Sequence, residues 1–150
     1  MRIQYHNRRP RPGAEEQFGA RYVALDELLG TSDFVVLIVP LTNDTRNLIG
    51  RRELALMKPT ATLVNIARGG IVDTAALTEV MLRRRIFAAA LDVTEPEPLP
   101  REHPLLKLDN VTLTPHLGSA TVETRRRMAE LSIENLFAGL EGKPLTCRIA

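Results

Sequence analysis

The 150-residue chain contains no tryptophan and a single cysteine, Cys147, and aromatic residues make up only 4% of it. One cysteine cannot form an internal disulfide framework and fits a reducing compartment, so we expect a cytoplasmic protein. So few aromatic residues leave no stacking platform of the kind that single-stranded nucleic acid requires. No apolar run approaches the roughly 18 residues that span a bilayer. Neither a nucleic acid nor a membrane is therefore expected as a partner.

The composition is that of a globular protein, with 44% hydrophobic residues, 25% charged residues and a net charge of +2. The length suits one ordinary domain and is too short for two. We expect that domain to occupy residues 1–142 and to be followed by a C-terminal tail, residues 143–150.

Short apolar runs alternate with helical patterns along the chain. The runs predict strands at 35–40, 61–66, 87–93 and 111–115, and the first two have the continuous apolar character of strands covered on both faces. Helices are predicted at 25–30, where Gly30 is a plausible stop, at 50–59 before Pro59, and at 73–85 with Asp73 as N-cap. A last helix repeats apolar residues at Ala129, Ile133, Leu136, Phe137 and Leu140. The sequence thus predicts a doubly wound, Rossmann-like α/β fold with a parallel sheet and with ligands at the carboxyl ends of its strands.

Four residues fall at or just past the ends of the predicted strands, namely Pro40, Arg68, Asp92 and His116. Each one alone is more typical of an ordinary surface or turn position. Their common position on the carboxyl edge of a parallel sheet favours a functional site.

Three segments in this order and spacing, "NIARGGIVD", "ALDVTEPEPLP" and "NVTLTPHLGSAT", carry a family resemblance. They resemble the D-isomer-specific 2-hydroxyacid dehydrogenases, and within them the glyoxylate/hydroxypyruvate reductase branch. The resemblance implies an NAD(P)-dependent oxidoreductase that reduces glyoxylate or hydroxypyruvate to glycolate or D-glycerate, and a homodimer when complete. It also implies that residues 1–142 are part of a dinucleotide-binding domain.

The resemblance assigns three catalytic residues. Arg68 would bind the carboxylate of a 2-oxo acid and polarise its carbonyl, a task that suits a planar fork of donors. His116 would contact the substrate and protonate the carbonyl oxygen, because its pKa lies near neutrality. Glu97 would hydrogen-bond His116 and favour its protonated form. Glu95 is the rival for that role, but the family motif selects Glu97, and no metal site is implied.

Further residues would contact the cofactor. Asp92 would accept a hydrogen bond from the nicotinamide carboxamide, Gly118 would leave room for the ring, and Pro40, Ile66 and Ala67 would line it. Gly69 and Gly70 would let the backbone approach cofactor and substrate closely.

The segment "RIQYHNRRPRP" bears on the choice of cofactor. Folds of this type commonly read the adenosine ribose of NAD with an acidic residue, yet Asn7 stands where that residue is expected. Arg8, Arg9 and Arg11 follow and suit a 2′-phosphate, so NADP(H) is favoured over NAD(H). The alternative is a solvated basic loop.

The glycine-rich loop G-x-G-x-x-G, which cradles the pyrophosphate in such folds, does not occur in this sequence. We expect a truncated form that carries the catalytic residues without the full machinery. Residues 2–6 then either pair directly with the strand at 35–40, or the first twenty or so residues pack loosely and leave two strand edges exposed. The missing loop also keeps open the alternatives of a non-catalytic dinucleotide-binding or interaction module, or of an inactive truncated form.

Overall fold

A computed structural model describes residues 1–148. Strands and helices alternate in the order β1 Ile3–Tyr5, α1 Ala14–Phe18, β2 Ala20–Tyr22, α2 Leu25–Thr31, β3 Phe34–Leu37, α3 Arg51–Leu56, β4 Thr62–Asn65, α4 Thr74–Leu82, β5 Ala88–Leu91, β6 Val111–Leu113 and α5 Val122–Leu140. Short 3-10 turns cover Gly69–Ile71 and Pro104–Lys107. The chain divides into two compact units, Met1–Pro115 and the residues from His116 onwards.

The main sheet of the first unit is parallel, with strand order β3-β4-β5-β6. All four predicted strands are present, each shorter than its apolar run. The register pairs Leu37 with Asn65, Asn65 with Leu91, and Leu91 with Leu113, so the four strands end side by side. The predicted α/β fold with a parallel sheet is confirmed.

One face of this sheet carries the core of the unit. Val35, Leu37, Leu63, Ala89 and Leu91 point to this face and are all less than 10% exposed. They belong to one buried cluster with Leu29 of α2, Leu54 of α3, and Leu77 and Met81 of α4. Burial of apolar surface at about 25 cal/mol per Å² makes this cluster the main source of stability of the unit.

The opposite face of β3 is open. Phe34, Val36 and Ile38 are 67, 48 and 74% exposed. The prediction that this strand is covered on both faces is therefore wrong, because α2, α3 and α4 all contribute their buried side chains to the other face.

The first residues form a separate two-stranded parallel sheet, in which β1 pairs with β2. Direct pairing of residues 2–6 with β3 is therefore wrong. Within the described residues β3 has a strand partner only in β4, so its other edge is open. Gln4 Nε2 nevertheless donates to Thr31 Oγ1 at 2.7 Å and to Ser32 Oγ at 2.9 Å, which ties β1 to the end of α2.

The helix ends follow capping rules in part. Asp73 is the N-cap of α4, and its side chain accepts a hydrogen bond from the Ala76 N–H at 3.0 Å, as predicted. Gly30 does not end α2, which continues to Thr31 and is capped by Ser32, so that prediction is wrong. A glycine stops a helix most effectively with a positive φ, and Gly30 does not have one.

The second unit is dominated by α5. Thr121 caps it by accepting from the Thr124 N–H at 3.1 Å. The predicted helix is confirmed, but Ile133, Leu136 and Phe137 in its apolar repeat are more than half exposed. No helix in the described part of the chain is long and apolar enough to cross a membrane. The division at 142 between domain and tail stays a prediction, and residues 149–150 of that tail lie outside the described residues.

Candidate active site at the strand ends

The carboxyl edge of the main sheet carries three of the predicted residues in the first unit. Asp92 directly follows β5, Arg68 follows β4 after two residues, and Pro40 follows β3 after two residues. Because the four strands end in register, these positions share one edge of the sheet. Pro40, Ile66 and Arg68 are exposed there, and Asp92 is half-buried.

A buried amide at the end of β4 shapes the turn that carries Arg68. Asn65 is only 1% exposed. Its Oδ1 accepts from the Ala67 N–H at 3.1 Å, and its Nδ2 donates to the Arg68 carbonyl at 2.9 Å. A buried amide that satisfies two backbone groups holds a turn in one conformation. Asn65 was not among the predicted site residues, although a polar residue that ends an apolar strand run was the available signal.

The Arg68 guanidinium itself keeps most of its donors for a ligand. Its Nη1 donates to the Ala67 carbonyl at 2.6 Å. No ion pair within residues 1–148 involves its side chain. Since an arginine has five N–H donors in a fixed fork, the exposed side chain can still receive a carboxylate.

The two glycines after Arg68 leave room for another part of the protein. A β-carbon on Gly69 would lie 2.0 Å from the Thr94 carbonyl oxygen, and one on Gly70 would lie 2.0 Å from Glu95 Oε2. Neither glycine has a positive φ. The space opened by the missing β-carbons is therefore filled by the Thr94–Glu95 segment, and a close approach of this backbone to cofactor and substrate stays a prediction.

The loop that carries both candidate glutamates is tied down at several points. Glu95 accepts from Arg46 Nη1 at 2.9 Å, and its carbonyl accepts from Thr74 Oγ1 at 2.9 Å. The Thr94 N–H donates to Glu97 Oε2 at 3.4 Å, and Thr94 Oγ1 donates to the Pro96 carbonyl at 2.9 Å. Glu95 is thus committed to an arginine within the protein, while Glu97 lies exposed two residues further on.

Asp92 is anchored to both neighbouring strands. Its N–H donates to the Asn65 carbonyl at 2.9 Å. One carboxylate oxygen, Oδ1, accepts from Thr114 Oγ1 at 2.5 Å. The first bond fixes the backbone of Asp92 and the second fixes its carboxylate, so the direction of the side chain is set before any ligand arrives. Thr114 was not singled out in the sequence.

His116 opens the second unit, and both it and Gly118 are exposed. His116 has a φ of 54°, in the left-handed region that non-glycine residues seldom adopt. Residues held in this conformation cluster at functional sites, where the surroundings fix an otherwise unfavourable backbone.

The basic segment after β1 is supported by two tyrosines. Tyr22 donates from its hydroxyl to the Asn7 carbonyl at 3.0 Å, and the Tyr5 hydroxyl accepts from the Arg11 N–H at 2.9 Å. The two rings meet edge to face with centroids 5.4 Å apart. Arg8 and Arg9 are exposed, and no ion pair in the described part of the chain involves them or Arg11. Residues 7–11 therefore carry positive charge that is not neutralised by an ion pair among the described residues, on a backbone fixed by hydrogen bonds to Tyr5 and Tyr22.

The parallel sheet and its alternating helices are those of a Rossmann-like NAD-binding domain. The chain belongs to the D-isomer specific 2-hydroxyacid dehydrogenase family, whose NAD binding domain matches residues 1–118.

Named relatives and solved structures agree with this family. The chain is 52% identical over 143 residues to glyoxylate/hydroxypyruvate reductase B of Pectobacterium atrosepticum, covering 95% of this chain and 45% of the relative. A solved protein of Thermus thermophilus superposes with a TM-score of 0.93 at 48% identity, over 100% of this chain and 46% of that one. An NADPH-dependent glyoxylate/hydroxypyruvate reductase of Sinorhizobium meliloti, solved with NADP and malonate, gives a TM-score of 0.91 at 36% identity, over 99% of this chain and 46% of that one. The chain thus spans about half the length of the relatives it matches.

Proposed function

We propose that this chain carries the catalytic residues of an NADPH-linked oxidoreductase that reduces glyoxylate or hydroxypyruvate. The observation that carries the proposal is the aligned edge of the parallel sheet, where an exposed, unpaired Arg68 and an anchored Asp92 follow neighbouring strands. The names of the Pectobacterium and Sinorhizobium relatives support the same substrate class.

In this proposal each side chain has one task. Arg68 binds the substrate carboxylate and draws electron density from the adjacent carbonyl. His116 donates a proton to the carbonyl oxygen, and Glu97 stabilises the protonated imidazole. The engagement of Glu95 by Arg46 supports Glu97 as the partner of His116. When bound, the nicotinamide cofactor supplies the hydride that the carbonyl carbon receives.

The same proposal assigns the cofactor contacts. Asp92 accepts from the nicotinamide carboxamide, and Ile66, Pro40 and Gly118 line the ring. The fixed direction of the Asp92 side chain fits this task, because an acceptor aimed in advance selects one face of the ring.

NADP(H) is the preferred cofactor in this proposal. The unpaired guanidiniums of Arg8, Arg9 and Arg11 suit the 2′-phosphate, which the tyrosine-supported backbone would hold in place. The NADP bound to the Sinorhizobium relative supports this preference. Replacing Arg8 and Arg9 together by alanine should weaken NADPH binding far more than NADH binding. Equal weakening of both would contradict the preference.

The test of the main proposal is a steady-state assay with NADPH and hydroxypyruvate on the protein and its His116→Asn variant. We expect turnover that falls by about 100-fold or more in the variant, as loss of a general acid requires. Turnover that the substitution leaves unchanged would refute the role of His116. Absence of turnover in both proteins would favour a non-catalytic binding module or an inactive form.

We further propose that the complete protein is cytoplasmic and a homodimer, as the lone cysteine and the family resemblance suggest. Light scattering after size exclusion should give twice the mass of one chain, and a monomeric mass would contradict the dimer.

A further inference from the structure

Arg46 lies outside every motif of the family resemblance, yet it contacts the loop that carries Glu97. Its Nη1 donates to both carboxylate oxygens of Glu95, at 2.9 and 3.2 Å. The next residue, Asn47, donates its backbone N–H to the Gly70 carbonyl at 2.9 Å. The backbone beside Arg46 is therefore fixed to the 3-10 turn that follows Arg68.

Glu95 is held from three directions. Arg46 engages its carboxylate, and Thr74, the first residue of α4, donates its hydroxyl to the Glu95 carbonyl. The third contact is with Gly70, where any β-carbon would lie 2.0 Å from Glu95 Oε2 and 3.0 Å from Arg46 Nη1. Only a residue without a side chain lets the ion pair close at this position.

This anchored residue lies two positions before Glu97. Thr94 connects to the residues after Glu95, because its N–H donates to Glu97 Oε2 and its hydroxyl donates to the Pro96 carbonyl. Beneath Thr94, the missing β-carbon of Gly69 allows a close backbone contact. The segment from Thr94 to Glu97 is thus fixed at its start and at Glu95, with Glu97 at its exposed end.

We propose that Arg46 and Glu95 are positioning residues, whose ion pair locks the segment 94–97 onto Gly69 and Gly70 and so fixes the direction of the Glu97 carboxylate. The inference rests on the proposed role of Glu97 beside His116. The pair is about half exposed on both sides, so it contributes little to the stability of the whole protein. Its loss is therefore expected to appear as local motion of the segment and not as global unfolding.

The test measures backbone order by ¹⁵N relaxation in the free protein, without cofactor or substrate. The wild-type amides of Thr94, Glu95 and Glu97 should show order parameters of about 0.85, and Arg46→Ala should lower them to about 0.6 or less. Glu95→Gln, which keeps the shape of the side chain and removes its charge, should lower the order parameters in the same way. This variant replaces Arg46→Ala in the test if Arg46→Ala fails to fold. Arg46→Lys keeps the positive charge, so its order parameters in this segment should be much closer to the wild type than those of Arg46→Ala.

Arg51→Ala is the matched control, because it removes another ion pair of the same unit, with Glu79, whose other ion-pair partner among the described residues is Arg83 and not a residue of the loop. It should leave the order parameters of segment 94–97 unchanged. Wild-type order at Glu97 in both Arg46→Ala and Glu95→Gln would overturn the proposal, and so would an equal loss of order in Arg51→Ala.

A second measurement separates this inference from the proposed function. In the assay with NADPH and hydroxypyruvate, Arg46→Ala should lower kcat by about tenfold, below the loss from removing the general acid itself, with KM nearly unchanged. A mobile segment with an unaltered kcat would refute the role of Glu97 and overturn the inference that its direction matters. A segment that stays rigid overturns the positioning role whatever the activity.

Discussion

Replacing Asn65 tests whether a single buried amide holds the Arg68 turn. In Asn65→Leu the side chain keeps a similar size but loses both hydrogen bonds, to the Ala67 N–H and to the Arg68 carbonyl. A buried backbone group left without a partner costs about 1–3 kcal/mol. Only the Ala67 N–H is left without a partner, because the Arg68 carbonyl still accepts from the Ile71 N–H at 3.3 Å, so the expected total is about 1–3 kcal/mol. For a chain of this length that corresponds to a fall in Tm of roughly 2–12 °C.

Urea denaturation followed by circular dichroism measures the loss in free energy of unfolding. A second variant, Asn65→Asp, tests the two hydrogen bonds of Asn65 separately. The aspartate still accepts from the Ala67 N–H, but it places a carboxylate oxygen against the Arg68 carbonyl in place of a donor. It should therefore also be destabilising at neutral pH. The exposed Asn43→Leu is the control and should stay within about 0.5 kcal/mol of the wild type. An Asn65→Leu variant as stable as that control would refute the reasoning.

Three further predictions concern the same unit. Gly69→Ala should destabilise by about 1–3 kcal/mol, since its β-carbon would meet the Thr94 backbone. Gly30→Ala should stabilise by about 0.5–1 kcal/mol, because the position is helical and its β-carbon would make only an ordinary contact, 3.8 Å from the Leu56 carbonyl oxygen. Denaturant midpoints of the two variants that move in the same direction would contradict this. Leu63→Ala should cost about 2–5 kcal/mol, because Leu63 is fully buried beneath the helices, and a calorimetric Tm close to the wild type would show that the core is loosely packed. The hydrogen bond from Arg52 holds the pKa of Asp26 below its usual value of 3.8, so the stabilisation from this pair is present above pH 3.8 and is lost as the pH falls through the lowered pKa. The Tm difference between wild type and Arg52→Ala should therefore shrink on acidification. A Tm difference that grows would contradict the assignment.

The sequence predicted the elements with strong local patterns. The apolar run that became β4 and the capped helix α4 were both expected, because burial and capping leave a mark on neighbouring residues. By contrast, α1 has no buried residue and β2 buries only Ala20, and neither element was predicted. Three-residue strands depend on their pairing partner, which no local pattern reveals.

The candidate site likewise has features that could be predicted from the sequence and features that could not. Arg68, Asp92 and Pro40 could be placed on one sheet edge because strand ends in a parallel sheet share an edge. The contacts that hold them there could not be predicted. The pairing of Arg46 with Glu95 joins residues that are 49 positions apart. The close contact of Thr94 with Gly69 likewise depends on a loop far along the chain. Such contacts follow from the tertiary fold and not from the spacing of residues.

The central claim is that Arg68, Glu97 and His116 act on the same 2-oxo acid. The most direct measurement is an NMR titration with hydroxypyruvate in the presence of NADP⁺, which cannot reduce the acid, observing the Arg68 side-chain Nε–H and the His116 ring together. We expect both signals to shift with one half-saturation concentration, and we expect Arg68→Ala to abolish the response of His116. A His116 response that persists unchanged in Arg68→Ala, or signals that never respond to the acid, would contradict it.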